Sequence, residues 1–320
     1  MRYSVVAATE WLFGKDVQEA EEKVMPQAVF KITPTGAYRA LHELADDFEP
    51  SVRKAFIAAV EKLRYSVTLK ELQEAISLGN AERVIELLGW NQFNSGLRAM
   101  TELLREEIVD AAKMSGGQLI GVVGNDFSFD VLNPMSASYI RQYEFDLIRE
   151  ITDETREAVR AIVLNAFEEG GHPYQQARDI RMLIGLTERQ MNAVSNYWDM
   201  LIESGTVSSR AEELAMQYYG RLLNSRARTI ARTETIRAAG QGRELLWRQA
   251  VAEGLLDPYL TRRQWLVTPD DRACIVCQSI ADMNPNGVRL DESFRSELGP
   301  LDQEPAHPNC RCSVILSTIE

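Results

Sequence analysis

The sequence predicts a mainly α protein, with helical N-terminal and central regions and a small C-terminal antiparallel β module. Apolar residues recur at helical spacing, between capping residues, through the first two thirds of the chain. No proline interrupts the chain between Ser209 and Pro258, which predicts a long helix or a helix pair there. Residues 256–320 contain short β-prone runs instead.

The composition is that of a folded globular protein. The 320 residues are 45% hydrophobic and 26% charged, which excludes a disordered or fibrous chain. The net charge of −12 argues against a protein whose whole surface binds nucleic acid or anionic lipid, but it leaves room for a local basic patch. No apolar run reaches the roughly 18 to 20 residues of a membrane span. A soluble cytoplasmic protein with no membrane partner is expected.

Residues 1–117 are predicted to form a helical domain. Helices are expected over 36–49, 51–65, 68–79, 81–89 and 95–114. Pro50 separates the first two, because proline disfavours helical backbone at the residue before it. Thr68 and Glu71 form a capping box, and Asn80 caps the following helix. The last helix has one apolar face that is expected to be buried, formed by Leu97, Met100, Leu104, Ile108 and Ala111.

A domain border is predicted at about residues 115–135. Lysine is absent after Lys113, so arginine provides all the permanently cationic side chains in the rest of the chain. The pair Gly116-Gly117 is expected to end the preceding helix, and a β-prone stretch follows it. The sequence therefore predicts three regions, which are 1–117, 118–255 and 256–320.

The central region, 118–255, is also predicted to be helical. Helices are expected over 136–150, 152–168, 174–184 and 188–203. Thr187 and Gln190 form a capping box for the fourth of these helices. A second box, from Ser209 to Glu212, is expected to open the long helix that follows.

Residues 217–249 contain seven arginines against Glu234 and Glu244, so this segment carries +5 in a protein of net charge −12. One interpretation is a solvated or salt-bridged helix face, with Glu234 as an ion-pair partner. The other is a DNA or phosphate contact surface, for which the guanidinium fork is well suited. The candidate contacts are Arg221, Arg226, Arg228, Arg232 and Arg237.

The C-terminal module is predicted to contain strands at 262–268, 288–290 and 312–318, with Trp265 as the core anchor. All four cysteines lie here. Cys274-x-x-Cys277 precedes a second cluster with a histidine and two cysteines, and paired ligands of this kind can complete a tetrahedral site. The candidate metal ligands are Cys274, Cys277, His307, Cys310 and Cys312.

These soft or borderline donors favour a structural zinc ion. A tetrahedral zinc ion binds four ligands and the cluster offers five donors, so either His307 or Cys312 does not bind the ion. Reduced thiols that only pack and a disulfide are the alternatives, and a cytosolic setting disfavours the disulfide. Arg311, between two of the cysteines, is expected to donate to the thiolates or to a carboxylate such as Asp270 or Asp271.

No catalytic pattern accompanies the cluster. GxSxG, P-loop and HExxH motifs are absent from the sequence. Zinc deaminases pair a histidine or cysteine with a glutamate two residues later, and neither Cys274 nor His307 is followed by one. We therefore expect no enzymatic activity.

Three separated boxes carry a family resemblance. They are Ala-Arg-Thr-Glu-Thr at 231–235, the Trp265 strand with the turn from Thr268 to Arg272, and His-Pro-Asn-Cys-Arg-Cys at 307–312. In this order and spacing they resemble the minor head, or head morphogenesis, proteins of tailed phages that are similar to protein F of phage Mu. The resemblance covers about residues 135–318.

The resemblance implies a low-copy structural component of the phage head at the portal vertex, without enzymatic activity. It implies a role in procapsid assembly, DNA packaging or DNA delivery, in the virion and, during assembly, in the host cytoplasm. Implied partners are the portal protein, the major capsid or scaffolding protein, and phage DNA contacted without sequence preference. The alternative function is that of a non-enzymatic DNA-binding protein that uses the arginine-rich helix and a zinc module.

Overall fold

The computed structural model describes residues 34–123, 127–268 and 273–318. Within these ranges the chain forms nine helices and one two-stranded antiparallel sheet, which confirms the predicted fold class. The helices are α1 Pro34–Arg64, α2 Leu69–Ser77, α3 Ala81–Leu87, α4 Trp90–Val123, α5 Pro134–Glu169, α6 Pro173–Leu183, α7 Glu188–Glu203, α8 Ser208–Ala252 and α9 Ile275–Met283. The strands are β1 Thr261–Leu266 and β2 Ser313–Thr318.

Three long helices, α1, α4 and α8, pack against one another and form the centre of the molecule. Glycine permits the closest approaches between them. A Cβ atom on Gly96 of α4 would lie 2.8 Å from the Cα atom of Ala59 of α1, and one on Gly242 of α8 would overlap the carbonyl oxygen of Ile108 of α4. A larger residue at either position would push two helices apart.

The predicted buried face of α4 is confirmed, because Leu97, Met100, Leu104, Ile108 and Ala111 are all fully buried. They belong to, or lie next to, a core built from α1, α4, α5 and α8 together with the shorter helices. No helix in the described ranges is both long enough and apolar enough to cross a membrane.

Pro50 does not divide the first helix as predicted, because α1 continues through it. The proline ring removes one N–H donor, and the carbonyl that loses its partner belongs to Asp46. Both Pro50 and Asp46 are exposed, so solvent can satisfy that carbonyl. Val52 and Phe56, on the buried side of the same helix, hold it against the core.

The predicted helix stop at Gly116-Gly117 is also wrong, because α4 continues to Val123 and residues 118–123 are helical and not extended. Ser115 and Leu119 are buried on either side of the glycines. Packing of this turn therefore outweighs the low helix propensity of two glycines, which is about 1 kcal/mol each.

The break predicted between 150 and 152 is absent, and α5 is one helix of 36 residues. Its buried residues Leu147, Ile151 and Ala158 continue one apolar stripe across the expected boundary. A continuous stripe is stabilised by the same core along its whole length, so the polar residues between its members do not end the helix.

The capping boxes at Thr68 and Thr187 are confirmed, with reciprocal bonds to Glu71 and Gln190. The box predicted at Ser209 is not formed, since Val207 is the N-cap of α8 and makes no side-chain cap bond. The long helix is confirmed: α8 has 45 residues and passes through Gly220, Gly240 and Gly242 without a break.

The C-terminal module consists of β1, β2, α9 and irregular segments. The two strands pair antiparallel, from Thr261 opposite Thr318 to Leu266 opposite Ser313. The predicted strand at 288–290 is reduced to a single bridge between Arg263 and Val288. Trp265 is buried and meets Phe294 edge to face at 5.4 Å, which confirms it as a core anchor.

One buried carboxyl group stands out in the helical core. Glu107 of α4 is fully buried, and neither of its oxygens has a hydrogen-bond partner among the described residues. Burial raises the pKa of Glu107 well above 4.5. The folded state therefore favours the protonated acid, because an unpaired carboxylate in an apolar interior is far costlier.

Glu107 should make the folded state less stable as the pH rises. Between pH 4.5, where the unfolded side chain ionises, and the raised folded pKa, stability should fall by about 1.4 kcal/mol per pH unit. Glu107→Gln cannot ionise, so its advantage over the wild type should be small near about pH 5 and larger near about pH 8. Urea unfolding at both pH values measures the difference.

Glu106→Gln is the matched control, because Glu106 is the neighbouring residue and is exposed. Its effect should be the same at both pH values. Equal pH dependence of the two variants would show that Glu107 is ionised in the folded protein.

Candidate metal centre

The first pair of candidate ligands lies at the start of α9. Cys274 is the N-cap of this helix, and its sulfur accepts a hydrogen bond from the backbone N–H of Cys277 at 3.3 Å. Two intervening residues therefore place both sulfurs on the first helical turn, facing the same side. Cys277 is buried, while Cys274 is partly exposed.

The second cluster comes from a tight turn that precedes β2. Asn309 adopts a left-handed backbone conformation with φ 58°, which asparagine tolerates better than most residues. The backbone N–H of Cys310 donates to the carbonyl of His307 at 3.0 Å and closes the turn. This geometry directs His307 and Cys310 towards α9.

The donor atoms of the five predicted ligands form two groups that share Cys277. One consists of Cys274, Cys277 and His307, the other of Cys277, Cys310 and Cys312, and within each group all donor atoms lie within 4.8 Å of one another. The Sγ atoms of Cys277 and Cys310 are 3.6 Å apart. Zn–S bonds of 2.3 Å give a tetrahedron with edges of about 3.8 Å. The cluster can therefore hold a metal ion.

The histidine ring is oriented for ligation by a bond to its own turn. Nδ1 of His307 lies 2.9 Å from the carbonyl oxygen of Pro308, so Nδ1 carries the proton and donates it. Nε2, which then has a free lone pair, faces the sulfurs of Cys274 at 3.0 Å and Cys277 at 3.2 Å. Hydrogen bonds of this kind commonly fix the tautomer of metal-binding histidines.

The thiols influence one another strongly. Hydrogen bonds from the thiols of Cys277 and Cys312 lower the pKa of Cys310, while donation to Cys310 raises the pKa of Cys277. Among Cys277, Cys310 and Cys312, the thiolate of Cys310 therefore disfavours ionisation of the other two thiols. A divalent cation removes this repulsion and allows several thiolates to coexist.

The turn that carries His307 and Cys310 is hydrogen-bonded to α8. The backbone N–H of Asn309 donates to the hydroxyl of Thr233 at 3.1 Å, and its side-chain amide donates to the hydroxyl of Thr229 at 3.3 Å. Both threonines lie on α8. The candidate metal ligands are thus held against the helix that forms the centre of the fold.

A buried ion pair provides a second attachment, and no sequence pattern predicted it. Arg243 of α8 pairs with Glu304, and both side chains are almost completely buried. Glu304 also accepts the backbone N–H of Val314 in β2 at 3.2 Å. Burial raises the pKa of Glu304 and lowers the pKa of Arg243, which disfavours the charged form of each group. The opposite charge of the partner counteracts this effect.

Arg263 of β1 extends this network. It is fully buried, it lies 3.3 Å from Glu244 of α8, and it donates to the carbonyl oxygens of Glu292 and Asp302. In sequence Arg263 belongs to a β-prone run with no evident partner. Its role depends on loops that are brought together only by folding.

The five arginines proposed as DNA contacts divide into two sets. Arg226 is buried, pairs with Glu154 at 2.7 Å and donates to the carbonyl of Gly185, so it lies where DNA cannot reach it. Arg237 pairs with the buried Glu234 at 2.8 Å, which confirms Glu234 as an ion-pair partner. The remaining three, Arg221, Arg228 and Arg232, are exposed or half-buried.

The suggested contact of Arg311 with Asp270 or Asp271 involves carboxylates that lie outside the described residues. The backbone carbonyl of Arg311 accepts a hydrogen bond from the hydroxyl of Thr268 at 2.8 Å. This bond joins the end of the segment after β1 to the turn that precedes β2.

Comparison with known proteins gives no relative: no family model, no curated protein and no solved structure matches the chain.

Cys277 belongs to both donor groups, so Cys277→Ser should abolish metal binding by the purified protein. Bound metal should fall from about one ion per chain to less than about a tenth of that, and the melting temperature should fall with it. Elemental analysis and thermal unfolding measure the two effects. Ile275→Ser is the control, because Ile275 is on the same helix and its side chain is 87% exposed.

Full metal retention in Cys277→Ser would mean that the cluster does not bind the metal. If Cys277→Ser loses the ion as expected, His307 and Cys312 are replaced with alanine one at a time. The fourth ligand is the residue whose replacement removes the ion.

Glu304→Gln should destabilise the protein by about 3 to 5 kcal/mol, because it leaves the charge of Arg243 buried without a counter-ion. The double variant Arg243→Met/Glu304→Leu should lose less, since both charges of this pair are then removed together and neither is left buried without the other. Urea unfolding measures the free energies. The exposed Glu297→Gln serves as the control; a loss in Glu304→Gln no larger than in this control would contradict a buried ion pair.

Proposed function

We propose that this chain is a non-enzymatic structural component of a tailed-phage head, which associates with the portal vertex and whose C-terminal module is organised by zinc. The portal protein is the proposed principal partner, with the major capsid or scaffolding protein as a further contact. The chain would act in the virion, either inside the head or at the portal vertex, after assembly in the host cytoplasm.

The observation that carries this proposal is that the three boxes of the family resemblance belong to one packed unit. Thr233, from the box on α8, accepts the backbone N–H of Asn309 from the His-Pro-Asn-Cys-Arg-Cys box. Trp265, from the strand box, shares a core with Cys310 and Cys312. Motifs that are far apart in sequence but adjacent in space support a common structural module more strongly than three independent matches do.

The donor set supports zinc as the ion. Thiolates with one imidazole suit Zn²⁺, and hard ions such as Mg²⁺ and Ca²⁺ prefer oxygen donors. The cluster offers five protein donors, and four of them fill a tetrahedral zinc site. A site filled in this way leaves no position for an activated water, which supports a structural role and not a catalytic one.

The shape of the helical body also suits an assembly role. α8 has 45 residues and α5 has 36, so at 1.5 Å per residue they are about 68 Å and 54 Å long. The sides of these helices that remain exposed, on α5 and on the N-terminal half of α8, offer faces to a protein partner. The metal would link α9 to the turn before β2 within the small module, whose limited core gives little stability by itself.

Co-expression with the portal protein of the proposed phage tests the proposal. The two proteins should elute together from size-exclusion chromatography, and the complex should contain about one zinc ion per chain. A portal protein from an unrelated phage is the control and should not co-elute.

Separate elution of the chain and its portal protein would reject the portal-associated role. If that chain bound duplex DNA with a steep salt dependence, the DNA-binding alternative would replace it. A portal complex that contained no zinc would reject only the proposed metal.

A further inference from the structure

One stripe of α8 carries arginines that face solvent. Arg221, Arg228 and Arg232 are separated by seven and four residues, and this spacing returns to the same side of a helix. Arg221 and Arg228 are exposed, and Arg232 is half-buried. Between them, Asn224 and Ser225 are also exposed.

Within the described ranges, these three arginines have no acidic partner. The sequence contains no Asp or Glu between Glu213 and Glu234. In the part of the chain that the structure describes, no carboxylate lies within ion-pair distance of any of the three. Other arginines of the same helix, such as Arg210 and Arg226, do pair with glutamates.

Among the described residues, these three neighbouring arginines lack carboxylate partners although the protein has a net charge of −12. Elsewhere on the described surface, arginines are often paired with carboxylates, for example Arg105 with Glu144. Keeping three like charges together without a counter-ion costs repulsion energy. An external anionic partner would relieve this cost, so the stripe has the electrostatic character of a binding surface.

The polarity of the stripe favours DNA over an acidic protein. Protein interfaces have an apolar or aromatic centre, whereas the exposed residues between these arginines are Asn224 and Ser225. Side chains of these types hydrogen-bond to phosphate oxygens in DNA complexes. Guanidinium groups bind phosphate through two parallel hydrogen bonds.

The geometry favours a duplex over a single strand. Arg221 and Arg232 are eleven positions apart, which is about 16 Å of helix. This length matches about five phosphates of one strand at the 3.4 Å axial rise of a duplex. Single-strand binding also uses aromatic platforms for the bases. The aromatic side chain next to the stripe, Tyr218, is half-buried, and it packs on Tyr197 and lies under Arg221.

We infer that Arg221, Arg228 and Arg232 form a docking strip on α8 for the phosphate backbone of duplex DNA, without sequence preference. The strip includes none of the candidate metal ligands, and it excludes the buried Arg226 and the half-buried, paired Arg237. It also goes beyond the proposed portal association, since a protein can bind a portal without contacting DNA through this helix.

Fluorescence anisotropy with a labelled duplex of about 30 base pairs tests the strip over a range of salt concentrations. The test variant is Arg221→Gln/Arg228→Gln/Arg232→Gln. The matched control is Arg39→Gln/Arg98→Gln/Arg141→Gln, which removes the same net charge from three exposed arginines on α1, α4 and α5. Thermal unfolding of both triple variants verifies that they fold.

The full chain should bind two duplexes of unrelated sequence equally, with a slope of log K against log salt steeper than about −2.7, the value for three phosphate contacts. The test variant should lose at least about tenfold in affinity at low salt, and its slope should flatten by about three units. The control variant should keep most of the affinity and the original slope.

Equal losses in the two triple variants would overturn the inference, because net charge and not the strip would then explain binding. Absence of duplex binding by the wild-type chain, or binding of single strands in preference to duplex, would overturn it as well. Portal co-elution without duplex binding would reject this inference and leave the proposed head function standing.

Discussion

The rest of the structure depends on the buried ion pair between Arg243 and Glu304. Arg243 lies in the half of α8 that α1 and α4 surround, and Glu304 belongs to the C-terminal module and binds β2. Because neither charge tolerates burial alone, the module has one favourable position on the helix. That position determines where the cysteine turn meets α9, and so where the candidate metal ligands converge.

The metal cluster and the ion pair stabilise the module in different ways. The ion pair and the bonds of Asn309 to Thr229 and Thr233 attach the module to α8. The cluster links α9 to the turn before β2 within the module. A two-stranded sheet with one short helix has a small core, so a metal cross-link between its segments would add stability that packing cannot supply.

Burial divides the arginines of α8 into paired and solvent-facing sets. From Glu234 onwards the helix is enclosed by α1, α4 and the module, and its arginines are paired with carboxylates inside the protein. Further towards the N-terminus one side of the helix faces solvent, and there Arg221 and Arg228 have no acidic partner among the described residues. One arginine-rich segment therefore contains both structural ion pairs and a surface that suits an anionic partner.

The sequence by itself determined the fold class, the long helix, the caps at Thr68 and Thr187, the core position of Trp265 and the five metal-binding candidates, because periodicity, capping and ligand spacing are local properties. It predicted breaks at Pro50 and at Gly116-Gly117 that packing overrides. Only the tertiary structure decided that Arg226 is buried, that Glu304 is the partner of Arg243 and that Cys277 joins two donor groups. Those outcomes depend on segments distant in the chain, and no local pattern encodes which of them will meet.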